Sequence, residues 1–208
     1  MRPVSFNIVR DYNFMELIIM NTLKNARLGS QLAQIHRQPI LFDICSGTRL
    51  DGRYLQKKGR ERNMPSNRKI YKALDKADGV ILRITAGIPQ PFVTLWNLRE
   101  ENATAPELFY GNPAWDLGIV LNALNNSEQA ETFLRQYLDN GGVQITIIEL
   151  YAGILYAKIN DAINNGDKKA WARLAKNECA CINSGKGLHF VEITNEAVAR
   201  LGLPGLSR

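Results

Sequence analysis

The sequence predicts a mostly α-helical fold with a few short strands. From residue 115 onward, apolar side chains recur every three or four positions, which is the period of a helix that buries one face. Stretches of β type are confined to two short apolar runs, at 80–84 and 92–96. Hydrophobic residues make up 45% and charged residues 22% of the 208 positions, a composition that supports a buried core. We therefore expect a single domain over residues 1–208.

Residues 1–91 are predicted to hold a helical start, a long basic loop and a short strand. Apolar residues keep roughly helical spacing over 14–36, which predicts the first helix. Prolines and glycines are spread through 38–66, and we expect that stretch to be irregular because both residue types interrupt regular elements. A helix over 67–77 and the strand at 80–84 complete this part of the chain.

Residues 92–208 are predicted to be almost entirely helical after the apolar run at 92–96. Two asparagines stand before Ser127, a pattern that favours a helix start. The five predicted helices span 115–124, 127–139, 144–165, 167–183 and 194–200. The third of them carries apolar residues along one face, so we expect it to be a core helix.

The charge of the chain allows an anionic partner. Net charge is +6 and the isoelectric point is about 9.3, and charged residues are dense in the run KKGRERNMPSNRK at 57–69. Its cations Lys57, Lys58, Arg60 and Arg62 are the candidate anion-binding residues, because lysine and arginine neutralise phosphates. Two interpretations stay open, a phosphate-binding segment or a solvated loop, since no aromatic residue is interleaved for base stacking.

Cysteines, histidines and apolar runs restrict the remaining classes. Cys45, Cys179 and Cys181 are too few and odd in number for a disulfide framework, and with two histidines in the chain a structural zinc site is not expected. His36 is expected to be a capping or surface residue at a helix end. No apolar run approaches the ~20 residues that span a bilayer, and residues 1–14 lack the pattern of a secretory signal. We therefore expect a cytoplasmic protein without a membrane partner.

Two segments resemble the C-terminal lobe of aminoglycoside phosphotransferase and choline kinase-like enzymes. The more specific one is GNPAWDLG at 111–118, which is similar to a Gly-Asp-Pro-Ala-Trp-Asp-Leu segment that opens a helix in that family. LGSQLAQIH at 28–36 is similar to the family's helix ending in Leu-Ala-x-Leu-His. The resemblance covers 28–36 and 92–175, so that 92–208 forms a phosphotransferase-like helical region. It implies a kinase-like C-terminal lobe with a reduced or absent N-terminal lobe, because no glycine-rich loop precedes residue 28.

The resemblance also implies where a catalytic loop lies. The family pattern is His-x-Asp-x-x-x-x-Asn, in which the Asp accepts the proton of the attacking hydroxyl and the Asn binds magnesium. LWNLREEN at 95–102 matches this place, with Asn102 at the metal-binding position and Asn97 at the position of the catalytic Asp. An amide cannot act as a base near neutral pH. The nearby acids are Glu100, Glu101 and Glu107, of which one could replace the second magnesium ligand, and Glu101 is the candidate.

Asp116 is implied to be a structural residue of this site. In kinase-like folds, a carboxylate at the start of this helix accepts hydrogen bonds from the backbone of the catalytic loop and holds the loop in place. Three hypotheses follow. The first is a degenerate phosphotransferase, a pseudokinase that binds a protein, nucleic acid or other ligand. The second is a basic helical protein that binds nucleic acid or regulates another macromolecule, and the third is an atypical active phosphotransferase that uses magnesium and ATP. The missing Asp and the missing lobe favour the first, in which no phosphate is transferred.

Overall fold

A computed structural model describes five stretches of the chain, residues 28–36, 45–84, 91–93, 108–184 and 192–202. Nine helices and three short strands lie within them. The helices are α1 (Leu28–His36), α2 (Gly52–Glu61), α3 (Arg68–Ile84), α4 (Ala114–Ala123), α5 (Ser127–Asp139), α6 (Ile147–Asn164), α7 (Lys168–Lys176), α8 (Glu178–Ser184) and α9 (Glu192–Leu201). The strands are β1 (Cys45–Arg49), β2 (Pro91–Val93) and β3 (Leu108–Tyr110). The prediction of a mostly helical fold is confirmed.

The three strands form one small sheet in the order β1-β3-β2. Strand β1 runs parallel to β3, with an irregularity in their register, whereas β2 runs antiparallel to β3. Pro91 pairs with Tyr110, and Val93 pairs with Leu108. The end of β2 and the start of β3 therefore lie side by side at one end of the strands. Helix α4 begins shortly after β3 finishes at the other end.

Helix α6 is the central element of the core. Of its 18 residues, 14 are buried, because neighbouring helices cover it on nearly every side. Ile147, Leu150, Tyr151 and Ile154 pack with α1, α4, α5 and α9 in one apolar cluster. From Ala152 to Ile163, most of the other buried apolar side chains pack with α2, α3, α7 and α8 in a second cluster. A helix that is apolar around most of its circumference is expected to be buried in this way.

Two glycines let α4 and α6 cross with their backbones in contact. A Cβ atom at Gly153 of α6 would lie 1.8 Å from the carbonyl oxygen of Ala114. A Cβ atom at Gly118 of α4 would lie 2.1 Å from the carbonyl carbon of Gly153. Because any side chain at these positions would separate the helices, the glycines fix the first turn of α4 directly on α6.

The predicted long basic loop is wrong, because residues 52–61 form α2. Asp51 begins this helix, since its carboxylate accepts the backbone N–H of Tyr54 at 2.9 Å. Gly59 suggested a loop, but it is buried beside the ring of Trp171. Burial against Ile163 and Trp171, which are distant in sequence, accommodates a helix at this position.

The predicted strand at 80–84 is also wrong, because these residues continue α3. β-Branched residues disfavour a helix only slightly, and a helix that earlier turns have already nucleated extends through them at little cost. The buried positions of α3 keep helical spacing, at Ile70, Ala73, Leu74 and Ala77.

Two other predicted helices differ in extent. The helix expected at 167–183 is interrupted at Asn177, where ψ is −85° and the chain passes from α7 to α8. Of the helix expected at 14–36, residues 28–36 are helical, and the part before residue 28 lies outside the described residues. None of the helices in the described stretches is long and apolar enough to cross a membrane.

Candidate functional site

The turn before α4 is held by Asn112. Its side-chain oxygen accepts the backbone N–H of Ala114 at 2.8 Å, and its backbone oxygen accepts the N–H of Trp115 at 3.0 Å. Pro113 precedes the helix with φ at −51°, close to the angle that its ring favours. The sequence Asn-Pro-Ala-Trp thus makes a helix start in which the asparagine satisfies N–H groups that the helix itself cannot.

Glu149 joins the start of α4 to the start of α6. Its Oε1 accepts the side-chain N–H of Asn112 at 2.7 Å. Its Oε2 accepts the backbone N–H of Thr146 at 2.7 Å and the hydroxyl of Thr146 at 2.9 Å. Thr146 and Glu149 also form a capping box. The carboxylate is buried, and these three donors compensate for its loss of water.

Asp116, in the first turn of α4, is fully buried and contacts His36 at the end of α1. Asp116 Oδ2 lies 3.1 Å from His36 Nε2, and both side chains have no exposed surface. His36 Nδ1 lies 2.8 Å from the hydroxyl oxygen of Tyr137, which accepts the N–H of Val143 at 3.1 Å. We call His36, Asp116 and Tyr137 the buried triad.

The two ring nitrogens of His36 each lie within hydrogen-bond distance of a buried oxygen, Nδ1 of the Tyr137 hydroxyl and Nε2 of the Asp116 carboxylate. Which of the two nitrogens donates depends on the tautomer of the ring. Burial, and then the charge of Asp116, raise the pKa of Tyr137 well above its usual value of 10.0, so the phenol keeps its proton at physiological pH. Each polar group of the imidazole thereby has a partner.

Packing of α1 on α5 brings His36 to this position. A Cβ atom at Gly29 would lie 2.5 Å from the backbone oxygen of Phe133, so the two helices approach within backbone contact. Leu28 and Leu32 are buried on the same side of α1. The expectation that His36 is a surface residue is therefore wrong, because α5 and α4 cover the end of its helix.

The other side of the α4 start rests on an aromatic stack. Trp115 lies on the ring of Tyr156, with centroids 4.4 Å apart and planes inclined by 26°. The hydroxyl of Tyr156 donates to Asp78 Oδ1, which also accepts the backbone N–H of Gly52 at 2.8 Å. Burial raises the pKa of Asp78 above its usual value of 3.8, although these two hydrogen bonds act in the opposite direction.

Most residues of the predicted catalytic loop cannot be compared with this geometry. Asn97, Asn102 and Glu101 lie outside the described residues, so their catalytic and metal-binding roles stay predictions. Asp116 is buried and directed into the protein, and its role as anchor of 95–102 also stays a prediction. In the stretches that the structure describes, no group of three or more His, Cys, Asp or Glu residues could hold a metal ion.

The candidate anion-binding residues are brought together on α2 and its C-terminal end. Lys57, Arg60 and Arg62 are exposed. Lys58 is partly covered and lies over the ring of Tyr54, 5.9 Å from its centroid. The buried triad, by contrast, is closed to solvent. The buried triad can hold α1, α4 and α5 together. A substrate could not reach it without an opening.

No protein-family model, curated protein or solved structure matches this chain. The phosphotransferase resemblance therefore stays a prediction that rests on the residues of segments 28–36 and 111–118 and on the contacts between them.

Proposed function

We propose that the chain is a degenerate phosphotransferase-like protein, a pseudokinase that acts by binding a partner or ligand. The observation that supports this proposal is the contact between His36 and Asp116. These residues are 80 positions apart and belong to the two segments that resemble the family, 28–36 and 111–118. Segment 28–36 contributes His36 and segment 111–118 contributes Asp116 to one buried hydrogen bond. A chance likeness of two helical segments gives no reason for those two side chains to meet.

The topology around β2 and β3 supports the same proposal. In the sequence, segment 95–102 follows β2 directly, and β3 leads into α4 through the Gly-Asn-Pro turn. In the sequence, 95–102 thus stands before the Asp-bearing helix α4, where the resemblance implies a catalytic loop, although the link from Asn102 to Gly111 is shorter than in the family. Asn97 stands where the proton acceptor belongs, and an amide does not accept a proton near neutral pH. We therefore expect binding without phosphate transfer.

Hydrogen exchange tests the ancestry. If Asp116 anchors the loop, Asp116→Asn speeds amide exchange in peptides that cover 94–102 more than in peptides from α6. Glu149→Gln is the matched control, because it also neutralises a buried carboxylate at a helix start. It is expected to affect the start of α6 and to leave 94–102 unchanged relative to the parent. Equal effects of the two variants on 94–102 would show that Asp116 does not anchor this segment, and would contradict the proposed ancestry.

An activity assay tests the loss of phosphate transfer. We expect the wild-type chain with magnesium and ATP or GTP to release no phosphate above a protein-free blank. Thermal unfolding with the same nucleotides measures binding separately, because a ligand that binds only the folded state adds about 2.7 kcal/mol at a hundred times its Kd. Turnover that disappears in Glu101→Ala would contradict the proposal and favour an atypical active enzyme.

A further inference from the structure

The positive charge of the chain is concentrated in one helical hairpin. Residues 51–84, which comprise α2, α3 and the turn between them, contain ten Lys or Arg and four Asp or Glu. Their net charge thus equals that of the whole chain, +6, and the remaining residues are balanced. We call this stretch the basic hairpin.

The cations of α2 form a stripe on its exposed side. Arg53, Lys57 and Arg60 are separated by four and three positions and are all exposed, so they lie on one face of the helix. Gly52, Leu55 and Gly59 are the buried positions of the same helix. From Arg53 to Arg60 the stripe runs about 10 Å along the axis at 1.5 Å per residue.

The cations of α3 form a second stripe. The buried positions of α3 are Ile70, Ala73, Leu74 and Ala77. On the opposite side of the helix, the exposed cations are Arg68, Lys69, Lys72 and Lys76. The two helices are joined side by side, because Gln56 Nε2 donates to Asp75 Oδ1 at 3.2 Å across the seam between them. Both stripes therefore belong to the exposed side of one pair of packed helices.

Several of these cations have no acidic partner to neutralise them. Within the described stretches, Arg53, Arg60 and Arg68 form no ion pair. Lys57 lies 3.9 Å from Glu61 in a pair that is mostly exposed on both sides, and such pairs contribute little. Lys76 donates to two backbone oxygens at the end of α8. Apart from the bond of Arg60 Nε to the backbone oxygen of Gln56 at 3.4 Å, the structure gives no hydrogen bond from the guanidinium groups of these three arginines to the described residues.

We propose that the outer face of the basic hairpin binds the phosphate backbone of double-stranded nucleic acid. A duplex carries one negative charge per ~1.7 Å of axis, so the stripe of α2 faces several phosphates at once. The guanidinium fork matches two phosphate oxygens. This inference does not depend on the proposed pseudokinase function, because it uses a different surface from the buried triad.

Two observations favour a duplex over other anionic partners. The exposed residues of 51–79 include no Leu, Ile, Val, Met, Phe or Trp, so this face lacks the apolar anchors that dominate protein interfaces. Its aromatic residues, Tyr54 and Tyr71, are both partly buried and offer no platform for the stacked bases of a single strand.

Fluorescence anisotropy with a labelled duplex of about 24 base pairs tests the proposal across a series of salt concentrations. We expect affinity to fall steeply with salt. The variant Arg53→Gln/Arg60→Gln is expected to reduce the slope of log affinity against log salt by about 2, since each phosphate contact contributes about 0.9. Arg135→Gln/Arg200→Gln is the matched control, because it removes the same charge from exposed positions on α5 and α9. It is expected to leave the slope unchanged.

Glutamine retains good helix propensity, and circular dichroism checks that each variant is folded. Arg68→Gln/Lys72→Gln repeats the test on the stripe of α3 and is expected to change the slope in the same direction. Three results would overturn the proposal: no saturable binding at low salt, equal losses in the hairpin and control variants, or tighter binding to polyglutamate or to anionic phospholipid vesicles than to the duplex. A single strand of equal length is expected to bind no better than the duplex.

Discussion

Replacing Gly153 by alanine is expected to lower the free energy of unfolding by about 2 kcal/mol or more. The added methyl group would lie 1.8 Å from the carbonyl oxygen of Ala114. One of the two helix backbones must therefore move by more than about 1 Å before an ordinary contact distance is reached. Overpacking of this kind costs about 3 kcal/mol or more when backbone cannot rotate away. The better helix propensity of alanine offsets about 1 kcal/mol of that cost.

Gly79 provides the control for this substitution. It lies inside α3 and is exposed, and none of the described residues has an atom within 4 Å of the position that a Cβ would occupy. The same chemical change there is expected to raise the free energy of unfolding by about 0.5–1 kcal/mol. The two glycine-to-alanine changes, both within helices, are thus expected to change the free energy of unfolding in opposite directions.

Urea denaturation followed by circular dichroism measures both effects, from the midpoint and slope of each transition. In a chain of this size, 1 kcal/mol corresponds to about 2–4 °C in Tm, so Gly153→Ala is expected to lower Tm by about 4–8 °C. A Gly153→Ala variant as stable as the parent would show that α4 and α6 do not cross at this distance. The position of the first turn of α4, which includes Asp116, would then be wrong as well.

Three further predictions concern buried groups. His36→Ala is expected to lower the free energy of unfolding by about 3 kcal/mol, because the buried carboxylate of Asp116 loses its imidazole partner. In urea denaturation, the double variant His36→Ala/Asp116→Ala should cost less than the two single changes added together, and additive losses would argue against the contact. Asp78 binds its proton more tightly in the folded protein than in the unfolded chain, so stability is expected to fall as pH rises from 3.8 towards its raised pKa. Asp78→Asn should flatten that slope, and an unchanged profile would contradict the assignment. Burial raises the pKa of Cys179 to about 12, whereas Cys181 is exposed. Iodoacetamide at a pH of about 8 should therefore modify Cys181 in the native protein and Cys179 only after denaturation, as peptide mass spectrometry would show, and equal rates would refute this.

Helix positions in the second half of the chain could be predicted because they depend on local pattern. The predicted helix at 127–139 has the bounds of α5, since Asn126 caps it by accepting the N–H of Gln129 at 2.8 Å. Helix α2 was missed for the opposite reason. Gly52 and Gly59 suggest a loop when only neighbours in sequence are considered, and packing against helices distant in sequence keeps them helical.

The buried triad could not be predicted from spacing. His36 and Tyr137 are 101 positions apart, and no local pattern links a histidine at one helix end with a tyrosine at another. Glu149 could have been found, because Thr-x-x-Glu before an apolar run is a capping-box signature. The hydrogen bond between Glu149 and Asn112 could not be predicted, since it depends on how α4 and α6 pack together in three dimensions.

Helix α6 has a consequence for how the chain melts. Both apolar clusters include buried side chains of this helix, so the loss of either cluster would expose buried surface on α6. We therefore expect the two clusters to unfold in a single cooperative transition. A ligand that binds beside one cluster is then expected to stabilise the other cluster as well.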